Sequence, residues 1–379
     1  MNKSTPKVLV ILAVFLASTM LPSIPIVRAQ ENTWTTLAPM PTPRSNFGLA
    51  VVNKKIYAIG GSNDTTILAT NEMYNPETDT WTTKTSIPTP RSLFAITTCQ
   101  NKIYAITGSK PSRPYSAGGS YTLANEVYNP ETDTWETKAP LNSQYPRYWI
   151  NAHTINDKIY LISGLTNEFV IWSSNSPEIN IYDPLTDTWT KGEQIPHPVH
   201  RYGSVAVENK IYVFGGVDYK PPEGLPIGTV YDFTQIYDTT TDTWSLGSPM
   251  PVAVRDSFAV VTPKLLGLNQ IYVLGGEPYE GPKPNLNQIY NTHTGVWSNG
   301  TALPEDFIPS GIVAIDDCLY AISGTQNLSC MSIESETPTP TPTSSPEPEP
   351  FPTTIALVSI ATVAVIGAGI LVYFKKYRK

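Results

Sequence analysis

The chain has 379 residues and a formal net charge of −7, with only four histidines and three cysteines. The acidic balance argues against a general nucleic-acid binder, which normally presents a basic face. No two cysteines have Cys-x-x-Cys spacing, and this excludes Cys-rich zinc sites and thioredoxin-type redox chemistry. The 21 tyrosines, 8 tryptophans and 36 prolines favour a protein built from strands and turns.

Residues 1–29 have the features of a secretory signal peptide. Two lysines precede an apolar run over residues 8–21, and Ala29 ends a segment that fits a small-residue cleavage site. We therefore expect the mature chain to start near Gln30. An uncleaved membrane anchor is the alternative, although the apolar run is too short to cross a bilayer comfortably.

The middle of the chain repeats one pattern, marked first by tryptophan. Trp recurs at intervals of 47 to 55 residues, and a Tyr stands seven residues before each Trp except the first. The first two of these segments both read YNPETDTW. The tryptophans are Trp34, Trp81, Trp135, Trp189, Trp244 and Trp297, and the tyrosines are Tyr74, Tyr128, Tyr182, Tyr237 and Tyr290.

Each repeat also contains an alternating apolar strand that ends in small residues. Lys55–Gly61 reads KIYAIGG, and an apolar run over residues 47–52 precedes it across a tight Asn-Lys turn. This pattern predicts a β-hairpin, and the Tyr and Trp segments predict a second hairpin behind it. A single four-stranded meander cannot bury both of its faces, so the units must stack, and radial stacking closes a propeller.

These motifs resemble the kelch repeat, whose marks here are the double-glycine strand end and the Tyr-x6-Trp pair. The resemblance covers about residues 31–333 and implies an all-β, six-bladed kelch-type β-propeller. In three repeats Thr107, Ser163 and Ser323 replace the first glycine, and the sixth repeat lacks its own Tyr and Trp.

An unpaired Trp strand at residues 32–36 supplies what the sixth repeat lacks. We expect it to become the outer strand of blade 6, so that both ends of a domain over residues 30–336 close the ring. Closure by a C-terminal strand, and an open solenoid, are the alternatives.

The C-terminal part predicts attachment to a membrane. Residues 337–352 contain seven prolines, which favour a stiff, extended stalk. Residues 353–374 form an uncharged, apolar segment long enough for one transmembrane helix, and the basic residues 375–379 are typical of a cytoplasmic tail. The predicted location is the cell membrane, with a single crossing and the propeller outside. A buried core helix is the alternative for the apolar segment.

A set of arginines precedes the innermost strands of the predicted blades. Four of them stand four residues before an equivalent small or polar position, and the fifth is offset by two residues. Converging guanidinium groups would bind a carboxylate, sulfate or phosphate in an axial pocket. The alternative is that each arginine pairs with a local acid or carbonyl group within its repeat. The five residues are Arg44, Arg91, Arg147, Arg201 and Arg255.

Two kinds of covalent modification fit an exported chain. Cys318 and Cys330 are predicted to lie on neighbouring strands of blade 6, where a disulfide would lock the closing blade, and Cys99 is then a buried thiol. Glycosylation sequons in predicted turns or loops begin at Asn63, Asn299 and Asn327.

No catalytic or metal site emerges from the sequence, and we expect no cofactor. The four histidines are scattered, and the acids of the PETDTW segments have the placement of turn formers. Kelch-like propellers include copper oxidases and a sialic-acid mutarotase, but the Tyr–Cys pair and two histidines of the former cannot be assembled here.

The sequence therefore favours a surface-displayed, monomeric binding module without enzymatic activity. Its partner would be a protein, a glycan or a small anionic ligand at the loop face, where the loops are uneven and carry aromatic residues such as Tyr121 and Tyr231. Two alternatives remain: an enzyme acting on sugars, of the mutarotase kind, and an architectural repeat of a surface layer.

Overall fold

The computed structural model describes residues 34–111, 120–169, 172–218, 228–261, 270–279, 285–304, 307–324 and 328–332. These residues form strands and turns, and within them no helix has the length and apolar character needed to cross a membrane. The predicted signal peptide, stalk, membrane segment and tail lie outside the described residues, as does Asn327.

The described residues contain six four-stranded antiparallel sheets, which we number as blades 1 to 6 in chain order. Blade 1 consists of Gly48–Val52, Lys55–Ile59, Asn71–Asn75 and Thr80–Lys84. Blade 2 consists of Ala95–Cys99, Lys102–Ile106, Asn125–Asn129 and Thr134–Lys138. Blade 3 consists of Asn151–Ile155, Lys158–Ile162, Ile179–Asp183 and Thr188–Gly192.

The second half of the domain repeats this arrangement. Blade 4 consists of Gly203–Val207, Lys210–Phe214, Thr234–Asp238 and Thr243–Leu246. Blade 5 consists of Arg255–Val260, Gln270–Glu277, Asn287–Asn291 and Trp297–Asn299. Blade 6 consists of Pro309–Ile315, Cys318–Ser323, Leu328–Ser332 and, from the other end of the chain, Trp34–Leu37.

Smaller sheets lie in the loops. Ser109–Lys110 pairs with Ser120–Tyr121, and Val217–Asp218 pairs with Thr229–Val230. Leu165–Phe169 pairs on its two sides with Arg147–Tyr148 and Trp172–Asn175.

The ring closes through the N-terminal strand, as the sequence predicts. Trp34 pairs with Met331 and Leu37 pairs with Leu328 in an antiparallel register, so the two ends of the domain share one sheet. The first strand of each blade contacts the first strand of the next, and the first strands of blades 6 and 1 also touch. These six strands surround a central channel, with one hydrophobic cluster packed between each pair of neighbouring blades.

The tight turns between the first and second strands have the predicted backbone form. Asn53 and Lys54 have φ angles of 49° and 58°, and two successive positive values are typical of the type I′ hairpin turn. At the other end of the second strand, Gly61 has a φ of +97°. A Cβ atom there would lie 2.7 Å from the carbonyl oxygen of Ser45, so the backbones approach too closely for a side chain.

Where a hydroxyl residue replaces the first glycine, it links neighbouring blades. Thr107 keeps the left-handed backbone with a φ of 57°. Its hydroxyl donates to the carbonyl oxygen of Arg147 over 2.9 Å and accepts a hydrogen bond from the Arg147 amide over 3.0 Å. Ser163 makes the equivalent pair of hydrogen bonds with the backbone of Val199, in the segment that leads into blade 4. At Thr107 and Ser163 the departure from double glycine therefore adds hydrogen bonds between neighbouring blades.

The acid of the Tyr-x6-Trp segment also joins blades, in addition to shaping a turn. In blade 3, Asp187 accepts hydrogen bonds from the Tyr182 hydroxyl and from the Ala139 amide of the preceding blade. Trp189 completes the link by donating its indole N–H to the Ala139 carbonyl over 3.0 Å. Asp79, Asp133 and Asp242 repeat this arrangement in blades 1, 2 and 4.

The predicted disulfide is absent, because neither Cys318 nor Cys330 is disulfide-bonded. The register places Cys318 opposite Ser332 and Cys330 opposite Tyr320, so the two cysteines are diagonal neighbours. Diagonal pairs in a sheet are typically about 7–8 Å apart, beyond the range of about 4.4–6.8 Å between the Cα atoms of bonded cysteines. Cys99 is buried, as expected.

Candidate functional site: the channel mouth and the loop face

Three of the five predicted arginines lie inside blades and away from the channel. Arg44, Arg91 and Arg147 are each at most 2% exposed. Arg44 donates to the Glu72 carboxylate over 2.5 Å, and Arg91 donates to Glu126 over 2.6 Å. These guanidinium groups therefore tie the entry of a blade to its third strand, which matches the local-pairing alternative.

The third buried arginine has a neutral partner. Arg147 donates to the side-chain oxygen of Asn180 and to the carbonyl oxygens of Ser163 and Glu178. Burial lowers the pKa of Arg147 to about 10, partly opposed by the charge of Glu178. The group remains protonated at neutral pH, held by oxygens of its own blade.

Blades 4 and 5 have no arginine at the position that holds Arg44, Arg91 and Arg147 in blades 1 to 3. The equivalent positions hold Val199 and Val254, which are fully buried. The residue on the third strand is Gln235 in blade 4, which exchanges two hydrogen bonds of 2.9 Å with the backbone of His197. Gln288 of blade 5 exchanges two hydrogen bonds with the backbone of Val252, over 2.9 and 3.2 Å.

Arg201 and Arg255 therefore do not belong to the same set as the other three. Phe258 of blade 5 pairs with Leu274 just as Gly48 of blade 1 pairs with Ile59, so Arg255 is offset from the shared position by one residue. The five guanidinium groups thus do not converge on one axial pocket. Arg201, with its two-residue offset, lies at the channel mouth.

The channel mouth is surrounded by residues with a shared and unusual backbone form. Five residues, one at or just before the first strand of each of blades 1 to 5, have φ angles between 49° and 57°. Adjacent members are joined by backbone hydrogen bonds, including Leu93 N–H to the Asn46 carbonyl and Trp149 N–H to the Leu93 carbonyl, both 3.0 Å. We call this set the collar: Asn46, Leu93, Trp149, Arg201 and Asp256.

The charged members of the collar neutralise each other. Arg201 donates through two nitrogens to both carboxylate oxygens of Asp256, and its guanidinium carbon lies 5.5 Å from the centre of the Trp149 ring. Arg255 lies beside them and donates to Glu277 over 3.4 Å. Left-handed backbone at a Trp and an Arg is uncommon, and such strained positions concentrate at functional sites.

The collar and neighbouring residues of all six blades line a cavity of about 290 Å³ in the channel. One side is polar and is built by Asn151, Ser204 and Ser257 of blades 3 to 5, together with His153. The other side is built by blades 1, 2 and 6 and is mostly apolar, although Asn46 and Ser310 also line it. Its lining includes Leu49, Phe94, Ile96 and Ile312.

His153 and Ser204 form the central contact of the polar side. The Nε2 atom of His153 lies 2.7 Å from the Ser204 hydroxyl oxygen, and the Asn151 amide donates to the same oxygen over 3.0 Å. Burial lowers the pKa of His153 to about 4, so the imidazole is neutral at physiological pH. Within the described residues, no group of three or more His, Cys, Asp and Glu side chains has the placement of a metal site.

Two stacks of aromatic rings lie on the loop face outside the collar. Tyr121 stacks on Tyr148 with ring centres 4.8 Å apart, between blades 2 and 3. Tyr231, Phe233 and His197 form a ladder on blade 4, with successive ring centres 4.6 and 4.2 Å apart. These residues lie on the same face of the propeller, because their loops either connect the second strand of a blade to its third or connect one blade to the next. Sequence inspection identified the aromatic loops but not their stacking.

Two of the predicted glycosylation sites are among the described residues, and both are exposed. Asn63 lies in a turn, and its side-chain oxygen accepts hydrogen bonds from the Thr65 and Thr66 amides. Asn299 is the last residue of the outer strand of blade 5, where the sequence predicts a turn or loop. Their glycosylation stays a prediction.

Comparisons with known proteins identify the class of this domain. The Kelch motif model matches residues 43–88, 90–142 and 198–251. Bovine Kelch-like protein 36 is 28% identical over 60% of this chain and 35% of its own length. Human Kelch-like protein 30 is 38% identical over 59% of this chain and 34% of its own length. These matches support a kelch-repeat family for the chain.

A solved structure supports the fold independently. The structure of YjhT matches with a TM-score of 0.63 and 16% sequence identity, over 79% of this chain and 98% of that one. The chain spans only about one third of the length of the curated relatives described above.

Proposed function

We propose that this protein is a surface-displayed binding module that recognises a protein partner through the loop face of its propeller. The observation that carries the proposal is the pair of aromatic stacks on that face. In the first stack the buried Tyr148 supports the half-buried Tyr121, and in the second Tyr231, Phe233 and His197 are all half-buried. Large, rigid aromatic side chains supply contact area at low conformational cost and are enriched at interfaces.

The face is well suited to a partner because its residues are held in place by the scaffold. The collar fixes Trp149 and Arg201 by backbone hydrogen bonds and an ion pair, so little side-chain freedom remains to be lost on binding. The opposite face carries the hairpin turns with their Asn, Asp and Thr residues, whose oxygens accept hydrogen bonds within the turns and between blades.

Surface display is the second part of the proposal, and it rests on the sequence of the two ends. This part is supported by the signal-peptide features of residues 1–29, by the proline-rich segment over residues 337–352 and by the apolar segment at 353–374, which together favour a propeller outside a membrane. The enzyme alternative has lost its main support, because the arginines that would bind an acidic sugar do not form one pocket.

The location is tested by protease treatment of intact cells that express the full chain. Propeller peptides should be released into the medium before lysis, and a cytosolic control protein should not. Release of propeller peptides only after lysis would contradict surface display.

The binding face is tested by crosslinking on the same cells with two single variants. Phe233→Ala removes the middle ring of the blade 4 ladder, whereas Leu185→Ala removes an apolar side chain that is 89% exposed in a turn on the opposite face. We expect Phe233→Ala to deplete crosslinked partners and Leu185→Ala to leave them unchanged. Equal partner sets for wild type and Phe233→Ala would refute this face as the interface.

A further inference from the structure

Four junctions between neighbouring blades are held together by a carboxylate. In the junction of blades 3 and 4, Asp242 accepts hydrogen bonds from the Tyr237 hydroxyl over 2.5 Å and from the Glu193 amide over 2.7 Å. Trp244 donates its indole N–H to the Glu193 carbonyl oxygen over 3.0 Å. The acids with the same two partners in the other three junctions are Asp79, Asp133 and Asp187. A tyrosine hydroxyl on one blade and a backbone amide on the preceding blade therefore form a repeated carboxylate site.

The donors of these sites favour the ionised form of the acid. The hydrogen bond from Tyr182 is the largest of the effects that hold the pKa of Asp187 below its usual range, and burial opposes it. The Ala139 amide and the charge of Lys138 act in the same direction as Tyr182. Hydrogen bonds to a charged acceptor are stronger than those between neutral groups. The same kind of donor set is therefore suited to a carboxylate that is not attached to the blade.

The junction of blades 4 and 5 keeps the two donors of this site but has a glycine in place of the acid. Tyr290 is the tyrosine of this junction, and Trp297 donates to the Ser248 carbonyl oxygen over 3.0 Å, so Ser248 supplies the amide. Gly295 stands where the preceding junction has Asp242. Its φ of 70° is close to the 54° of Asp242, so the backbone keeps the left-handed form.

The donors of this junction are not used by the part of the chain that the structure describes. Within the described residues, the Tyr290 hydroxyl and the Ser248 amide make no hydrogen bond. An ideal Cβ atom on Gly295 would lie 3.6 Å from the Tyr290 hydroxyl oxygen and 3.8 Å from the Ser248 hydroxyl oxygen. These are ordinary van der Waals distances, so there is room for a carboxylate group beside Gly295. The Ser248 hydroxyl offers a third donor to such a group.

Solvent reaches this junction on the face opposite the loop face. Ser248 is exposed, and so are Thr294 and Val296 on either side of Gly295. Tyr290 is only 3% exposed, and a buried hydroxyl group is costly when it lacks an acceptor. A carboxylate that enters from solvent would supply an acceptor to donors of both blades at once.

The junction of blades 5 and 6 lacks this donor set. Trp34 donates to the Ala302 carbonyl oxygen over 3.1 Å, but it pairs with Met331, which has no hydroxyl group. Among the junctions of the described residues, the one between blades 4 and 5 therefore combines both donors with a glycine at the position of the acid.

We propose that the junction of blades 4 and 5 binds a carboxylate group in the place that Asp242 fills in the preceding junction. The carboxylate belongs to a small organic acid or to an acidic side chain of another polypeptide, since both present the same two oxygens. It accepts hydrogen bonds from Tyr290 of blade 5 and Ser248 of blade 4, and so links the two blades. The site is separate from the protein interface proposed for the loop face, so failure of one proposal leaves the other standing.

The test is an NMR titration of the full chain that follows the amide resonance of Ser248. The probes are sodium formate and sodium acetate, with sodium chloride at equal ionic strength as the reference. A second pair of probes represents a charged and a neutral side chain: the α-amide of N-acetylaspartate and its asparagine analogue. We expect a saturable shift with at least one carboxylate and none with chloride or the asparagine analogue.

The outcomes separate the two sources of the carboxylate. A response to formate or acetate alone would support a free acid as the ligand. A response to the aspartate compound as well would support an acidic side chain. The proposal would be overturned if no carboxylate shifted the Ser248 resonance saturably, or if chloride shifted it equally.

Two variants and a matched control locate the bound carboxylate. Gly295→Asp supplies the acid within the chain and should abolish the response of Ser248 to the probe. Tyr290→Phe should weaken binding of the probe by about tenfold or more, because a hydrogen bond to a charged group is lost. Tyr237→Phe makes the same substitution in the preceding junction, where Asp242 is the acceptor, and should leave binding at Ser248 unchanged. Wild-type affinity in either Gly295→Asp or Tyr290→Phe would place the anion elsewhere and refute the assignment.

Discussion

The buried ion pair of blade 2 allows a quantitative test of how the blades are held together. Arg91 is fully buried and donates to Glu126 over 2.6 Å and to the carbonyl oxygens of Ala105, Thr107 and Ala124 over 3.1 Å each. Burial lowers the pKa of Arg91, and the negative charge of Glu126 opposes that shift. Glu126→Ala would leave a buried guanidinium without its counter-charge.

We expect Glu126→Ala to lower the free energy of unfolding by about 3–5 kcal/mol, as for other buried pairs that lose one member. Blades 4 and 5 provide the matched control, since they hold Val and Gln at the same two positions. The double variant Arg91→Val with Glu126→Gln copies that arrangement into blade 2. It should lose less than half as much stability as Glu126→Ala, although it contains one more substitution.

The measurement is urea-induced unfolding followed by circular dichroism, with the midpoint and slope fitted for each variant. The reasoning would be refuted if Glu126→Ala cost less than about 1 kcal/mol. It would also be refuted if the double variant unfolded at or below the urea midpoint of the single variant, because the valine–glutamine arrangement would then not be a self-sufficient replacement.

Three further predictions concern the links between blades, the thiols and the strand ends. The hydrogen bond from Tyr182 holds the pKa of Asp187 below its usual range, so the stabilisation is present above the unfolded-state pKa of about 3.9 and is lost as the pH falls through the lower folded-state value. The urea midpoint of the wild type should therefore be higher than that of Asp187→Asn near neutral pH, and the difference between the two midpoints should decrease below about pH 4. A difference that does not change with pH would contradict the charge-based explanation. Burial raises the pKa of Cys99 to about 11 and that of Cys330 to about 12. Iodoacetamide at pH 8 should label these two thiols slowly in the native chain and fully in urea, and mass spectrometry without reduction should find no disulfide. Gly108 has a φ of +106°, and a Cβ there would lie 2.6 Å from the nearest side-chain carbon, so Gly108→Ala should cost more than about 1 kcal/mol in the same unfolding assay; a wild-type midpoint would show that the backbone can relax.

The strand pattern and the closure of the ring were predictable because they depend on local chemistry. Alternation of apolar residues shows which face of a strand is buried, and the Asn53–Lys54 turn joins its strands as an I′ hairpin. The strand at Trp34 is predictable as the outer strand of blade 6, because five repeats contain a Trp strand and the sixth does not.

The errors at the candidate site have a common cause in register. Alternation of apolar residues shows which face of a strand is buried, but it does not fix the register between strands. For this reason the predicted position of Arg255 is wrong by one residue. The disulfide prediction failed for the same reason, since Cys318 and Cys330 lie on neighbouring strands but two residues out of direct opposition. Neither offset has a signal in a single sequence.

The sequence by itself determined the repeat, the number of blades and the strand that closes the ring. These follow from the spacing of residues close in the chain, where turn chemistry and apolar periodicity act. Only the tertiary structure decided which arginines are buried in ion pairs and which one reaches the channel, and it alone assembled the collar. Those outcomes depend on contacts between residues about 50 positions apart, such as Arg201 with Asp256. Arg201 lies two residues after the position that the buried arginines occupy in other blades, and this offset places its side chain at the mouth of the channel instead of inside a blade.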